Sequence, residues 1–246
     1  MSNLRQEGDQ GVLVRFWSLD HHRAEDVLWP SSSWHKLVYA LEGTLQIQTS
    51  STVHVLPPNR ALCVAAGVPH PARTQGKAKV RTLYFTPRFP FDRSRQVIEV
   101  RPLFRELMNE ACRIGPLREG DSRENAIVSL LIEELREARE TPSSIPMPQS
   151  EWVHDWAIAF LEDPASVRSP AYSRRTLERR ILAETSLTLG QWCQQARALV
   201  GLRALSRGAT VLEASMESGF ETTSGFIQSF RRQFGTTPGR MFRPVS

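Results

Sequence analysis

Three phenylalanines near the C-terminus constrain the fold of this 246-residue chain more than any other feature. Phe226, Phe230 and Phe234 recur at every fourth position, which places them on one side of a helix and predicts that this side is buried. Gly219 precedes the segment and Gly235 follows it. Because glycine accepts the positive φ of a sharp turn, the two glycines predict the turn into this helix and the residue at which it ends.

A short helix is predicted before that turn. Thr210-Val211-Leu212-Glu213 is a capping box that opens it, Ser218-Gly219 ends it, and Thr237-Pro238 starts another helix after the aromatic one. A first helix, a tight turn and a second helix with a polar outer side form a helix-turn-helix, whose second helix can enter the major groove of DNA. The polar outer side consists of Thr223, Ser224, Gln228, Arg231 and Arg232.

The net positive charge is concentrated in the same part of the chain. Residues 168–246 contain twelve Arg and five Glu, whereas the rest of the chain has 19 basic and 21 acidic residues. A basic C-terminal third on a nearly neutral body is typical of a nucleic-acid-binding module. The alternative reading is a chain that is rich in arginine for reasons unrelated to binding.

The N-terminal region reads as a series of short strands. Polar and apolar residues alternate in 44–49, as a half-buried strand requires, and turns rich in Gly, Pro and Asn separate the candidates. The predicted strands are 37–41, 44–49, 53–56, 61–64 and 80–85. Short strands about ten residues apart favour a small barrel or sandwich over a parallel α/β sheet.

Helical periodicity begins after Pro90. Residues 103–111 form one amphipathic pattern, and a second helix opens at Asp121 with Glu124 in capping-box register. The Pro/Ser-rich segment 141–150 is predicted to be a linker. The predicted fold is therefore α+β with two domains: a β-barrel (1–97), a helical dimerisation or packing segment (98–140), the linker (141–150) and an all-α DNA-binding domain (151–246).

The C-terminal motif resembles that of the AraC/XylS-type transcriptional regulators. The matching residues are Gly219-Phe220, Ser224, Phe226, Phe230-Arg231, Phe234-Gly235, Thr237-Pro238 and 240–242. Residues 173–180 are similar to the first recognition helix of that family, and Gly190-Gln191-Trp192 with Arg197-Ala198 to its long connecting helix. The N-terminal region is similar to the cupin-like sensor of one branch, through 37–40, Gly43, 55–58, 60–62, 67–70 and 81–85.

This resemblance implies two helix-turn-helix units bridged by one helix, with recognition helices roughly 34 Å apart facing one side of the duplex. The residues expected to face bases are Arg175, Glu178, Arg179, Thr223, Ser224 and Gln228. Those expected to contact phosphates are Arg174, Arg180, Arg231 and Arg232. A solvated helix face is the alternative reading for each arginine.

The first unit departs from the family pattern. Only eight residues separate Pro164 from Ser173, and Pro170 among them would obstruct a helix. The family places a positioning helix and a turn of roughly a dozen residues here. We therefore expect a truncated first unit and a second unit that dominates recognition.

The barrel is expected to hold a small-molecule effector at its interior mouth, as small barrels do. Tyr39, His70, Arg81 and Tyr84 are the candidate polar contacts. Cupins often bind a metal through His-x-His, but the corresponding segment reads Pro30-Ser31-Ser32. His54 is expected on the strand surface and His70 at the barrel mouth, so we expect no metal and no other cofactor.

Several functional classes are not expected. The chain has no apolar run of membrane-spanning length and no apolar stretch for a secretion signal near its N-terminus. Its three cysteines are far apart, which argues against disulfides and favours the cytoplasm. No catalytic constellation can be assembled from the sequence, so we do not expect an enzyme.

The leading hypothesis is a cytoplasmic, sequence-specific, DNA-binding transcriptional activator with a sensor domain. Its expected partners are double-stranded DNA, a second copy of the chain in a homodimer, a small-molecule effector and RNA polymerase, but no membrane. Two alternatives stay open. One is a metal-dependent cupin enzyme with a helical appendage that does not bind DNA, and the other is a degenerate regulator that binds a protein instead of an operator.

Overall fold

The computed structural model describes residues 11–21, 25–27, 32–49, 51–58, 60–74, 78–89, 96–141, 143–166 and 173–242. The strands are β1 (Val12–His21), β2 (Glu25–Val27), β3 (His35–Glu42), β4 (Leu45–Gln48), β5 (Thr52–Leu56), β6 (Arg60–Val64), β7 (Ala72–Thr74), β8 (Ala78–Phe85), β9 (Val97–Glu99), β10 (Leu117–Arg118) and β11 (Ser144–Pro146). The helices are α1 (Pro102–Ile114), α2 (Ser122–Glu137), α3 (Glu151–Glu162), α4 (Arg174–Thr185), α5 (Leu189–Ser206), α6 (Val211–Glu217), α7 (Thr223–Phe234) and α8 (Pro238–Met241).

The strands form two antiparallel sheets that pack face to face. The six-stranded sheet has the order β10-β1-β8-β3-β6-β9, and the five-stranded sheet has the order β11-β5-β4-β7-β2. Alternate residues of each sheet point into the space between them, where Val38 and Leu62 of one sheet join Leu45 and Ile47 of the other in a single apolar cluster. The α+β prediction with an N-terminal barrel is confirmed.

Helices α1 and α2 cover the outer face of the six-stranded sheet. Phe104 and Met108 of α1 and Leu131 of α2 are buried there with Leu37 and Leu83 of the sheet. Asp121 caps α2 as predicted, by accepting the backbone N–H groups of Arg123 and Glu124. The Glu124 carboxylate accepts from the backbone of Arg118 at 2.6 Å, so the reciprocal half of the predicted capping box is directed to β10.

The segment 141–150 is not the linker that its composition predicts. Within it, β11 pairs with β5, placing Ile145 opposite Val53. Ile145 and Met147 are buried in a cluster that also contains the core of the C-terminal helices. The proline- and serine-rich sequence conceals an edge strand, because proline is tolerated where a strand has only one neighbour.

The C-terminal helices pack around α5. Trp192 of α5 is fully buried against Trp156 and Phe160 of α3, with ring centroids 5.5 and 5.8 Å away. Its indole Nε1 donates to the carbonyl of Pro146, at the end of β11, at 2.8 Å. The five-stranded sheet and the helices consequently share one hydrophobic core. None of the described helices combines the length and apolar character needed to cross a membrane.

Candidate nucleic-acid interface

The turn between α6 and α7 is built as the sequence predicts. Gly219 has φ +71°, and the capping box at Thr210 and Glu213 is present. Phe226, Phe230 and Phe234 are all buried, with successive ring centroids 5.6 and 4.5 Å apart. The predicted aromatic ladder is therefore confirmed, and it holds one side of α7 against α5.

A glycine of α5 permits this close packing. A Cβ added at Gly201 would overlap the ring of Phe226. Thus α7 approaches the backbone of α5 at a point where any larger residue would push it away. The sequence does not predict this contact. A glycine inside a helical pattern can be recognised as a site of close packing only once the residue that faces it is known.

The opposite side of α7 lies in solvent. Ser224, Gln228, Arg231 and Arg232 are exposed and recur at the spacing of one helix face. Thr223 is less accessible than predicted, since it is half-buried in the first turn. The N-cap before it is Thr222, whose hydroxyl accepts the backbone N–H of Gly225 at 3.1 Å.

Helix α4 presents a second exposed and basic face. It begins after Ser173, whose hydroxyl accepts the backbone N–H of Thr176. Arg174 forms a 2.9 Å ion pair with Glu178, and Arg180 lies 3.7 Å from Glu184. Ion pairs in solvent contribute little, so a DNA phosphate can compete for these guanidinium groups. Arg175 and Arg179 are exposed as well.

A cleft of about 620 Å³ lies between this face and the start of α5. Arg175 and Arg179 line it on one side, while Thr188 and Gly190 line it on the other. The first backbone N–H groups of a helix attract anions, so the cleft combines two guanidinium groups with a helix N-terminus. This is an arrangement suited to a phosphate.

The structure describes only part of the segment that precedes α4. Helix α3 ends at Glu162, and residues 163–166 form a turn. The expected truncation concerns 164–173, of which 167–172 lie outside the described residues. The expectation therefore stays a prediction.

The comparison with known proteins agrees with this geometry. Residues 168–244 match the HTH_18 family of helix-turn-helix domains. The chain is 24% identical over 230 residues to the HTH-type transcriptional regulator NimR of Escherichia coli K12, covering 89% of this chain and 84% of NimR.

Residues 168–244 therefore belong to the HTH_18 family of helix-turn-helix domains. Together with the similarity to NimR, this domain identifies a DNA-binding transcriptional regulator.

Two solved structures are similar at low scores. ToxT from Vibrio cholerae aligns with a TM-score of 0.38 at 8% identity, over 93% of this chain and 97% of ToxT. A cupin-2 domain protein from Shewanella frigidimarina aligns with a TM-score of 0.26 at 18% identity, over 32% of this chain and 74% of that chain.

The barrel of the regulator separates the four predicted effector contacts into two groups. In the pairing of β3 with β8, Tyr39 lies opposite Arg81, and Lys36 lies opposite Tyr84. Tyr39 is buried on the outer face, in the cluster with α1 and α2. Arg81 shares that outer face and forms a 3.1 Å ion pair with Asp20. Tyr39 and Arg81 are therefore not effector contacts at the interior, because odd-numbered residues of β3 point away from it.

The other two predicted contacts, His70 and Tyr84, meet at a third residue. The Nζ of Lys36 lies 3.4 Å from His70 Nε2 and 5.6 Å from the centre of the Tyr84 ring. His70 Nδ1 is 2.8 Å from the carbonyl oxygen of Val68. Lys36 is not among the residues predicted to contact an effector. Its position was detectable, because it lies two residues before the apolar Val38 and therefore on the same face of the strand.

Burial changes the acid–base behaviour of this group. It lowers the pKa of Lys36 to about 8 and raises the pKa of Tyr84 to about 12. Burial, followed by the charge of Lys36, lowers the pKa of His70 to about 4, against the opposing effect of its bond to Val68. At neutral pH the imidazole is uncharged and can accept a hydrogen bond from Lys36.

His54 is also buried, which corrects its predicted place on the strand surface. His54 pairs with Ile47, and its neighbours Val53 and Val55 pack on the helical domain. Because side chains alternate along a strand, the His54 side chain points into the barrel. Among the described residues no three His, Cys, Asp or Glu side chains are grouped as metal ligands would be.

Proposed function

We propose that the regulator recognises an operator through both α7 and α4, with α7 making the dominant contacts. One observation carries this proposal: each helix is buried along one side and leaves its polar side in solvent. Helix α5 packs against both: Gly201 lies against Phe226 of α7, and Trp192 belongs to the same apolar cluster as the buried Leu177 and Ile181 of α4. A shared rigid helix would hold the two reading surfaces at a fixed spacing, as recognition of one face of a duplex requires.

We assign base contacts to residues whose chemistry matches base edges. Gln228 can bond adenine through two hydrogen bonds, Arg175 and Arg179 can bond guanine, and Glu178 can accept from cytosine. Ser224 and the half-buried Thr223 complete the set at the start of α7. Arg174, Arg180, Arg231 and Arg232 would bind phosphates, together with the backbone N–H groups at the start of α5.

The effector site is proposed for the barrel interior beside Lys36, His70 and Tyr84. These residues supply an ammonium, an imidazole and a phenol beside the apolar side chains of the interior cluster. A small molecule with a polar group could bond to them while its apolar part contacts Val38 or Leu62. Their shared position on the inner face supports this site.

We further propose that the regulator is a non-enzymatic, cytoplasmic activator that works as a homodimer. Leu103 of α1 and Leu130 of α2 are large apolar side chains that are about half exposed on the layer that covers the barrel. A second copy would bury them, and a dimer would place two pairs of recognition helices on DNA. An activator would then contact RNA polymerase from the bound operator.

Fluorescence anisotropy on the DNA upstream of the regulator's own gene tests the proposed function. We expect tight binding by the wild type and weaker binding by both Arg179→Ala and Gln228→Ala. Arg136→Ala is the matched control, because Arg136 is an exposed arginine on α2, outside both recognition helices. Equal binding by all four proteins would contradict the proposal.

A further inference from the structure

We propose that Glu184 is a positioning residue that fixes the orientation of α4 on DNA. The inference rests on the proposed function, since it assumes that α4 contacts the operator. Glu184 lies near the end of α4 and does not line the cleft, and its carboxylate is 3.7 Å from Arg180. It acts through the position of α4.

Three hydrogen bonds join Glu184 to the start of α3. Oε2 accepts the backbone N–H groups of Gln149 and Ser150 at 2.8 and 3.0 Å. Oε1 accepts the hydroxyl proton of Ser150. One carboxylate therefore binds the N-cap residue of α3 and the residue before it. This segment follows β11, whose last residue is bonded to Trp192.

The packing of α4 gives these bonds a mechanical role. Leu177, Ile181 and Thr185 are its buried residues, and they lie four positions apart along one stripe. A helix held along a single stripe can roll about that stripe, and rolling would turn the arginines away from the groove. Glu184 lies beside the stripe, so its bonds resist this rotation.

The expected truncation of the first unit gives such a contact a purpose. In a helix-turn-helix the first helix normally packs across the second and sets its orientation. Here only eight residues separate Pro164 from Ser173. The contact of Glu184 with α3 supplies an orienting restraint from a different helix.

Helix α3 is itself held by charged side chains at both ends. Glu184 of α4 bonds to its N-terminal end, and Arg203 of α5 donates to the carbonyl of Leu161 at its C-terminal end at 2.9 Å. Each charge is opposite in sign to the helix dipole at that end. Although burial raises the pKa of Glu184, its bonds from Ser150 and Gln149 together with nearby Arg180 outweigh this effect and lower it, so the group is ionised at neutral pH.

The test uses the full chain and a duplex that the wild type has selected from a random library. Two derivatives of this duplex each have one recognition subsite scrambled. Arg179→Ala should bind the intact duplex and one of the two scrambled duplexes with the same Kd. The subsite that is scrambled in that duplex is assigned to α4. The measured quantity is the ratio of Kd values for scrambled and intact duplexes, determined for the wild type, Glu184→Ala, Glu184→Gln and the matched control Glu151→Ala. Glu151 is an exposed carboxylate in the first turn of α3, at the same helix end.

We expect Glu184→Ala to lower the ratio at the α4 subsite about tenfold and to leave the ratio at the α7 subsite unchanged. Glu184→Gln should fall between Glu184→Ala and the wild type, because an amide keeps one acceptor, and Glu151→Ala should match the wild type. If Glu184→Ala unfolds, Ser150→Ala removes one of the three bonds and should lower the α4 ratio by a smaller factor.

Wild-type ratios at both subsites in Glu184→Ala, or an equal fall at both, would overturn the inference while leaving the proposed function intact. Unchanged ratios in a folded Ser150→Ala would overturn it where Glu184→Ala does not fold. A wild type that selects no sequence at all would contradict the proposed function itself and this inference with it.

Discussion

Gly201 marks the tightest contact between α5 and α7. Gly201→Ala should destabilise the protein by about 1–3 kcal/mol, because the new Cβ would overlap the Phe226 ring. Urea denaturation measures the change. Gly190→Ala is the matched control on the same helix, where a Cβ meets nothing within 4 Å. That substitution should be neutral or stabilising by up to about 1 kcal/mol. Equal stability of the two variants would contradict the packing described.

His70 predicts a pH dependence of stability. Its pKa is about 4 in the fold and about 6.5 when unfolded, so below pH 6.5 the unfolded chain binds a proton that the folded chain does not. Stability should fall as the pH drops from about 6.5 towards 4, by about 2 kcal/mol between pH 7 and pH 5.

The variant His70→Gln isolates this contribution. It should reduce the loss of stability between pH 7 and pH 5, measured by urea denaturation at both pH values. A loss in His70→Gln as large as in the wild type would show that His70 does not carry it.

At the residue scale, the sequence predicts correctly those features that depend only on nearby residues. The aromatic ladder and Gly219 follow from local periodicity and turn chemistry. The effector contacts do not, because the face of a strand depends on which sheet covers it. Tyr39 and Tyr84 are therefore separated by the six-stranded sheet, although both are aromatic residues of predicted strands.

At the scale of the element, α7 combines two kinds of contact that experiment can separate. Gln228→Ala should relax the base preference at one position and cost about 1–3 kcal/mol against the preferred base. Arg232→Ala should instead weaken binding to all sequences and lower the slope of log K against log salt by about 1. Anisotropy titrations at several salt concentrations distinguish the two. An unchanged salt slope in Arg232→Ala would contradict its assignment to a phosphate.

Two of the strands that the sequence did not predict are set by distant partners. Strand β11 is only three residues long and includes Pro146, so its identity depends on the neighbouring edge of β5. Strand β10 consists of two residues paired with β1. By contrast, α2 begins after Asp121 as predicted, because a capping residue determines the start of a helix locally.

At the scale of the whole molecule, the shared core predicts that the two domains unfold together. Ile145 is fully buried between the five-stranded sheet and the helices. The wild type should show a single calorimetric transition, and Ile145→Ala should lower the stability of that transition by about 2–5 kcal/mol. Two transitions in the wild type, or a helical domain unaffected by the substitution, would contradict a common core.

The most direct test of operator recognition by α7 and α4 is a hydroxyl-radical footprint of the regulator on the DNA upstream of its own gene. We expect two protected patches on one face of the duplex, about one helical turn apart, for each copy of the chain. Arg179→Ala should weaken one patch and Gln228→Ala the other. Two results would contradict recognition by both helices. One is uniform, salt-dependent protection without distinct patches, and the other is loss of the same patch in both variants.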